Sequence, residues 1–321
     1  MPAVAVAAKK SGAAFYWHLG DFRKMSDVDE DIQHEPEHLG KPLTIPAYRA
    51  LAWQDFVLSQ LASFGSFPVY LARGNHEMIS LIHPDSDYLA TFAPWIDRPN
   101  LRSQRLADNP ADLNPHIYYH WNENGVDFIS LDNASFDFDP AQMAWFEKTL
   151  AKDTADPAIV TIVAGMHEAL PESISRGHSM NQTERGTESG RRAYSDLLNF
   201  QNQAHKRVYV LASHSHYFMD GIFNTTYWRE HGGVLPGWIV GTAGAQRYPL
   251  PPEKSSAKAA KTHVYGFLLG TVRPSGEIRF NFKQLDERDV PAAVKARYTS
   301  PFVHWCFAEN ALSIQNSGDP N

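Results

Sequence analysis

Short runs of apolar, β-branched or aromatic residues recur along this chain: Ala13 to Leu19, Phe67 to Ala72, Val126 to Leu131, Ala158 to Ala164, Val208 to Ala212 and Gly237 to Val240. None alternates strictly between apolar and polar, which suits strands buried on both faces. Helix candidates lie between them, at Ala47 to Phe64, Pro140 to Lys152 and Gly190 to Ala204. Asp139 stands where an N-cap would, with Pro140 at the first helical position. Strands alternating with helices predict an α/β fold with helices on the sheet faces. The segment Val264 to Leu285 breaks the pattern. It reads as a hairpin, GFLLGTV and IRFNFKQL, around the turn RPSGE, which adds antiparallel strands late in the chain.

Length and composition narrow the class. A chain of 321 residues can form one large domain or two small ones, and 43% hydrophobic with 20% charged residues is ordinary for a globular protein. The reading taken is a single domain over residues 1–315, with an exposed loop from Pro249 to Lys261 and a frayed tail at 316–321. A net charge of -7 argues against a nucleic-acid surface, and so against a nuclease. Cys306 is the single cysteine, so a disulfide-stapled scaffold is excluded. No apolar run is long enough to span a bilayer. The opening MPAVAVAAKK places its lysines after the apolar stretch, the wrong order for a secretory signal.

Four of the runs end directly in groups that bind metals. AAFYWHLG leads to Asp21, FPVYLARG to Asn75, His76 and Glu77, AIVTIVAGM to His167, and RVYVLAS to His214, Ser215 and His216. Ligand crevices of open α/β sheets lie beyond the carboxyl ends of the strands, so these groups are expected to converge. Imidazole, carboxylate and amide oxygen together suit a transition metal such as Zn, Mn or Fe. A structural zinc site would use cysteines. The Asp21 carboxylate has two oxygens and could bridge two cations. Taken singly, Asp21 and Asn75 could equally be turn residues, and each histidine a buried core group. Asp132 and Asn133 also follow a strand and read as a turn or a support for the ligands. His18 reads as core, and His304, Trp305 and Cys306 as packing.

HLGD (18–21), GNHE (74–77), the lone His167 and SHSH (213–216) occur in the order found in calcineurin-like metallophosphoesterases, and the chain resembles that family from about Ser11 to Leu285. The resemblance implies an αββα sandwich of two packed mixed sheets flanked by helices. It implies that Asp21 bridges two metals, that Asn75, His167 and His214 complete one site, and that His216 belongs to the other. His76 would protonate the leaving group or stabilise the transition state. The implied activity is hydrolysis of a phosphomonoester or phosphodiester by metal-activated water, on a small phosphorylated substrate.

The sequence departs from the family pattern in places. No Asp-x-His motif precedes Gly20, Pro2 to Lys10 reads as an Ala-rich helix, and the strand carrying that motif is expected to be missing, as if Met1 were an internal residue of a longer ancestral chain. The second metal would then have Asp21 and His216 alone, unless Asp27 or Asp29 moved in. That opens an alternative function, a non-catalytic metal- or ligand-binding module of the same fold. Ser213 replaces the glycine usual in the last motif. Arg23 and Lys24, just after Asp21, could meet phosphate or belong to a solvated loop. The polar stretch Leu170 to Arg192 offers Arg176, His178 and Arg185 as substrate contacts, or is a solvated surface loop.

Overall fold

The computed structural model describes residues 1–79 and 83–311, so the expected tail at 316–321 lies outside the described residues. The strands are β1 (Tyr16–Leu19), β2 (Val69–Ala72), β3 (Tyr119–Glu123), β4 (Val126–Ser130), β5 (Thr161–Gly165) and β6 (Arg207–Ala212). They continue with β7 (Phe218–Asp220), β8 (Gly237–Val240), β9 (Ala259–Lys261), β10 (Tyr265–Val272) and β11 (Ile278–Leu285). Seven form one mixed sheet in the order β3-β4-β5-β6-β8-β7-β9, parallel through β4, β5, β6 and β8. A parallel ribbon β1-β2 and the hairpin β10-β11 make the second layer.

Side-chain alternation explains the layering. Along β4 to β8, Val126, Phe128, Val163, Tyr209 and Trp238 face a core shared with Tyr70, Leu71, Phe267 and Ile278 of the second layer. Their neighbours Ile129, Ile162, Ala164, Val208, Val210 and Ile239 face a second core, closed by Phe146, Leu150, Tyr194 and Leu197 of the helices. Continuous apolar runs are what a sheet covered on both faces requires. The large mixed sheet flanked by helices is the expected α/β architecture, with its second layer built from short ribbons.

The helices follow their caps. Pro140–Ala155 starts where Asp139 accepts a hydrogen bond from the Ala141 amide at 2.7 Å. The Ala47 to Phe64 expectation is one continuous helical path. It is α-helical over Ile45–Asp55, π-helical over Phe56–Gln60 and 3-10 over Leu61–Phe64. The next helix spans Glu184–Ala204, with Thr183 capping the Gly186 amide, rather than starting at Gly190. Gly190 is a packing residue: a Cβ there would lie 2.4 Å from Pro171 Cδ. The first part of the Leu170 to Arg192 segment is buried and its last part is helix, so the solvated-loop reading is corrected. Pro249 to Lys261 is exposed for most of its length, as expected, but its last three residues, Ala259–Lys261, pair with β7 as an edge strand. The polar content of β3 hid that edge, and β9 is a three-residue strand with no buried residue. Pro2–Lys10 is helical as expected. No helix of the described residues is long and apolar enough to cross a membrane.

One buried charge cluster ties the β3 edge to the helices. His120 Nδ1 lies 2.8 Å from Asp127 Oδ2, and Nε2 lies 2.6 Å from Asp108 Oδ2, which Lys152 also contacts. Burial disfavours the imidazolium, yet Asp127 and Asp108 outweigh it and push His120 up to about 10. A folded-state value above the unfolded one adds stability that is full below pH 6.5 and is lost as pH rises towards 10. Replacing His120 with Gln leaves the fully buried Asp127 without its cation, while Asp108 keeps Lys152, and should cost about 3–5 kcal/mol near pH 6. Urea unfolding across pH should show the gap between the two proteins shrinking from pH 6.5 to 10.

Candidate metal centre

Strands β1 and β2 pair in parallel register, Leu19 opposite Ala72, so their following loops leave side by side. Gly20 (φ +94) and Asp21 (φ +57) turn left-handed, a bend that Gly adopts freely and Asp tolerates. The two loops touch backbone to backbone: a Cβ on Gly20 would lie 2.5 Å from the Gly74 nitrogen. Glu77, fully buried, holds them together by accepting the amides of Asp21, Phe22 and Gly74 at 2.8 Å each. Arg73, just before this loop, binds Asp132 at 2.6 Å and anchors it to the end of β4.

Four ligand atoms converge beyond the strand ends. His167 Nε2 lies 3.0 Å from Asp21 Oδ2, 2.9 Å from Asn75 Oδ1 and 3.0 Å from His214 Nδ1. The potential ligand atoms of Asp21, His167 and His214 all fall within 4.8 Å of one another. His167 Nδ1 lies 2.8 Å from the Leu19 carbonyl, an acceptor only, so Nδ1 carries a hydrogen and Nε2 is the nitrogen that, once deprotonated, offers its lone pair to an ion. Ser213, at the place of the family's glycine, adds a hydroxyl that donates to the same carbonyl at 2.7 Å. Adjacent ligands of a six-coordinate ion with bonds near 2.1 Å are about 3 Å apart, so this donor set fits a transition metal in both chemistry and spacing.

Without an ion the cluster is electrostatically coupled. Burial raises the Asp21 carboxyl, but His167, and then His76 and His214, outweigh it and hold it far below the usual range. Burial lowers His167, and Asp21 overcomes that and lifts it to about 9. Burial, with His167 beside it, keeps His214 well below its ordinary value. Burial pushes His216 down to about 4.

His76 sends its amide to Asp21 Oδ1 at 3.1 Å and its Nδ1 to the Lys24 carbonyl, with Nε2 4.0 Å from Asp21 Oδ2. His216 lies outside the Asp21–His167–His214 group. Its Nδ1 donates to the Gln246 carbonyl at 2.7 Å, and its ring packs on Tyr248 at 4.1 Å between centroids. His178 is drawn to the site, 5.6 Å from the His214 ring and 5.7 Å from that of Tyr248. A buried hydroxyl chain pins its segment to the ligand loop. Tyr217 OH meets Ser175 Oγ at 2.6 Å, and Ser175 Oγ meets Ser215 Oγ, between the two histidines, at 2.7 Å.

Other expected substrate contacts are elsewhere engaged. Arg23 is neither solvated nor free for phosphate: its side chain is 4% exposed and meets Asp29, Asp31 and Asp55. Asp29 faces that arginine and Tyr48, and Asp27 pairs with Lys24, so neither replaces the absent motif. Arg176 is 71% exposed beside Glu172, and Arg185 is 74% exposed on Asp137. His18 is core, ringed by Phe22 and Phe56. Asn133 is a support: its amide clasps the backbone of Glu168 on both sides, at 2.9 and 3.0 Å. Glu168 itself was missed. Its one sequence signal is that it follows His167 directly.

A model of the calcineurin-like phosphoesterase family matches residues 3–218, and the chain belongs to that family. No curated protein matches it. Among solved structures it is similar to purple acid phosphatase PPD1 from yellow lupin (Lupinus luteus) seeds, with a TM-score of 0.52 and 16% identity. The match covers 91% of this chain and 50% of the lupin chain, a likeness of fold.

Proposed function

We propose that this protein is a metal-dependent phosphoesterase acting on a small phosphorylated substrate, either a monoester or a diester. The observation that carries this reading is the convergence of Asp21, Asn75 and His214 on Nε2 of His167. These four residues would hold one Mn, Fe or Zn ion, and Asp21 with His216 would offer a site for a second. A bound ion of this kind supplies a Lewis acid for a phosphoryl oxygen and an acidified water. The chain's own part is orientation and proton delivery. The Lys24 carbonyl fixes the His76 ring, leaving Nε2 to donate a proton to the leaving oxygen. His178 stands beside His214, where it would meet substrate oxygens, and Arg176 and Arg185 would act only from the rim.

A second reading, a metal-binding module without turnover, is favoured by one observation. Among the described residues a single group gathers as metal ligands, and His216 is outside it. Turnover separates the two. With Mn or Zn added, the full chain should hydrolyse aryl phosphate mono- or diesters, and His76→Ala should lower kcat by about 100- to 10,000-fold. Equal rates for the two proteins would remove the enzyme reading.

A further inference from the structure

Two glutamates beside this centre are fully buried, and they are opposites. Glu77 accepts three backbone amides, so its charge is satisfied by the fold. Glu168 accepts none: neither carboxylate oxygen has a hydrogen-bond partner among the described residues. Its Oε1 lies 3.1 Å from His214 Nδ1, the ligand atom of that histidine in the cluster. Nor does the position arise from loose packing, because Asn133 grips the Glu168 backbone at both its N–H and its C=O. Burying a carboxylate without donors is costly unless a cation meets it.

The charge of the cluster points the same way. Asp21 is the only carboxylate among the four converging residues, so a divalent ion held by them leaves a buried excess of one positive charge. We propose that Glu168 is a second carboxylate of the metal centre, balancing the ion's charge from the His214 side. The proposal rests on the ion being held as described above. It assigns to this chain a feature of its own: a buried acid placed directly after a ligand histidine.

The test is metal affinity of the full chain, read by competition with a chromogenic chelator using Mn²⁺ and Zn²⁺, together with thermal unfolding with and without metal. Glu168→Gln keeps the shape and removes the charge. The expected result is a Kd raised about 10- to 100-fold, as for other groups supporting metal ligands. The metal-free midpoint should be unchanged or higher, since a buried acid without a hydrogen-bond donor is gone. A Kd within twofold of the parent would overturn the proposal, as would a lower metal-free midpoint with an unaltered metal-induced rise. Asn75→Ala serves as the control for the site. If it weakens binding and Glu168→Gln does not, only the Glu168 role falls. If the parent takes up no metal, both fall.

Discussion

Replacing Asp21 with Asn is expected to abolish tight metal binding and to lower any phosphoesterase turnover about a thousandfold. The substitution is unusually clean. Asp21 sits at φ +57, a conformation that Asn adopts nearly as well. Its backbone amide still reaches Glu77. Its side chain keeps one oxygen, so the loop is not expected to move. What disappears is the carboxylate charge 3.0 Å from His167 Nε2. If the ion contributes about 4 kcal/mol to the transition state, a tenfold rate change per 1.4 kcal/mol gives the thousandfold loss. Element analysis after desalting, alongside kcat, would check it. A variant that retained its metal and its rate would contradict the assignment of Asp21.

Gly74→Ala should be nearly as damaging, by a different route. Gly74 has φ -109, which any residue adopts, so backbone strain plays no part. The obstacle is space. An added Cβ would lie 2.3 Å from Asp21 Oδ1, 2.4 Å from the Asp21 nitrogen and 2.9 Å from His167 Cε1. Two of those atoms are fixed by β1 and by the Glu77 clamp, so the loops must separate. The expected outcome is a stability loss of about 1–3 kcal/mol together with loss of metal, measured by denaturant unfolding and chelator competition. Gly177→Ala is the matched control. Its added Cβ meets nothing within 4 Å, and both properties should be unchanged.

Much of this centre was legible in the sequence because strand ends deliver it. HLGD, GNHE, His167 and SHSH each follow an apolar run, and a parallel arrangement brings such ends to one edge. The two-core sandwich was legible for the same reason: β4, β5 and β6 have apolar residues on both faces. The edges were not. β3 is polar at His120, Asn122 and Glu123, and β9 is only Ala259, Ala260 and Lys261, so both resemble loops until a neighbour pairs with them. Arg23 was misjudged because its partners, Asp29, Asp31 and Asp55, are separated in sequence and meet only when the Ile45–Asp55 helix packs against the loop. Gly190 suggested a helix start, whereas it marks close packing on Pro171 within a longer helix. Glu168 offered only its place after His167, since its lack of donors is a property of its burial.

The most direct measurement is an anomalous-difference map from crystals of the full chain grown with Mn²⁺. The account predicts a peak bounded by Asp21 Oδ2, Asn75 Oδ1, His167 Nε2 and His214 Nδ1, at about 2.0–2.3 Å from each. The absence of a peak at that point, with the ion bound elsewhere or not at all, would contradict it.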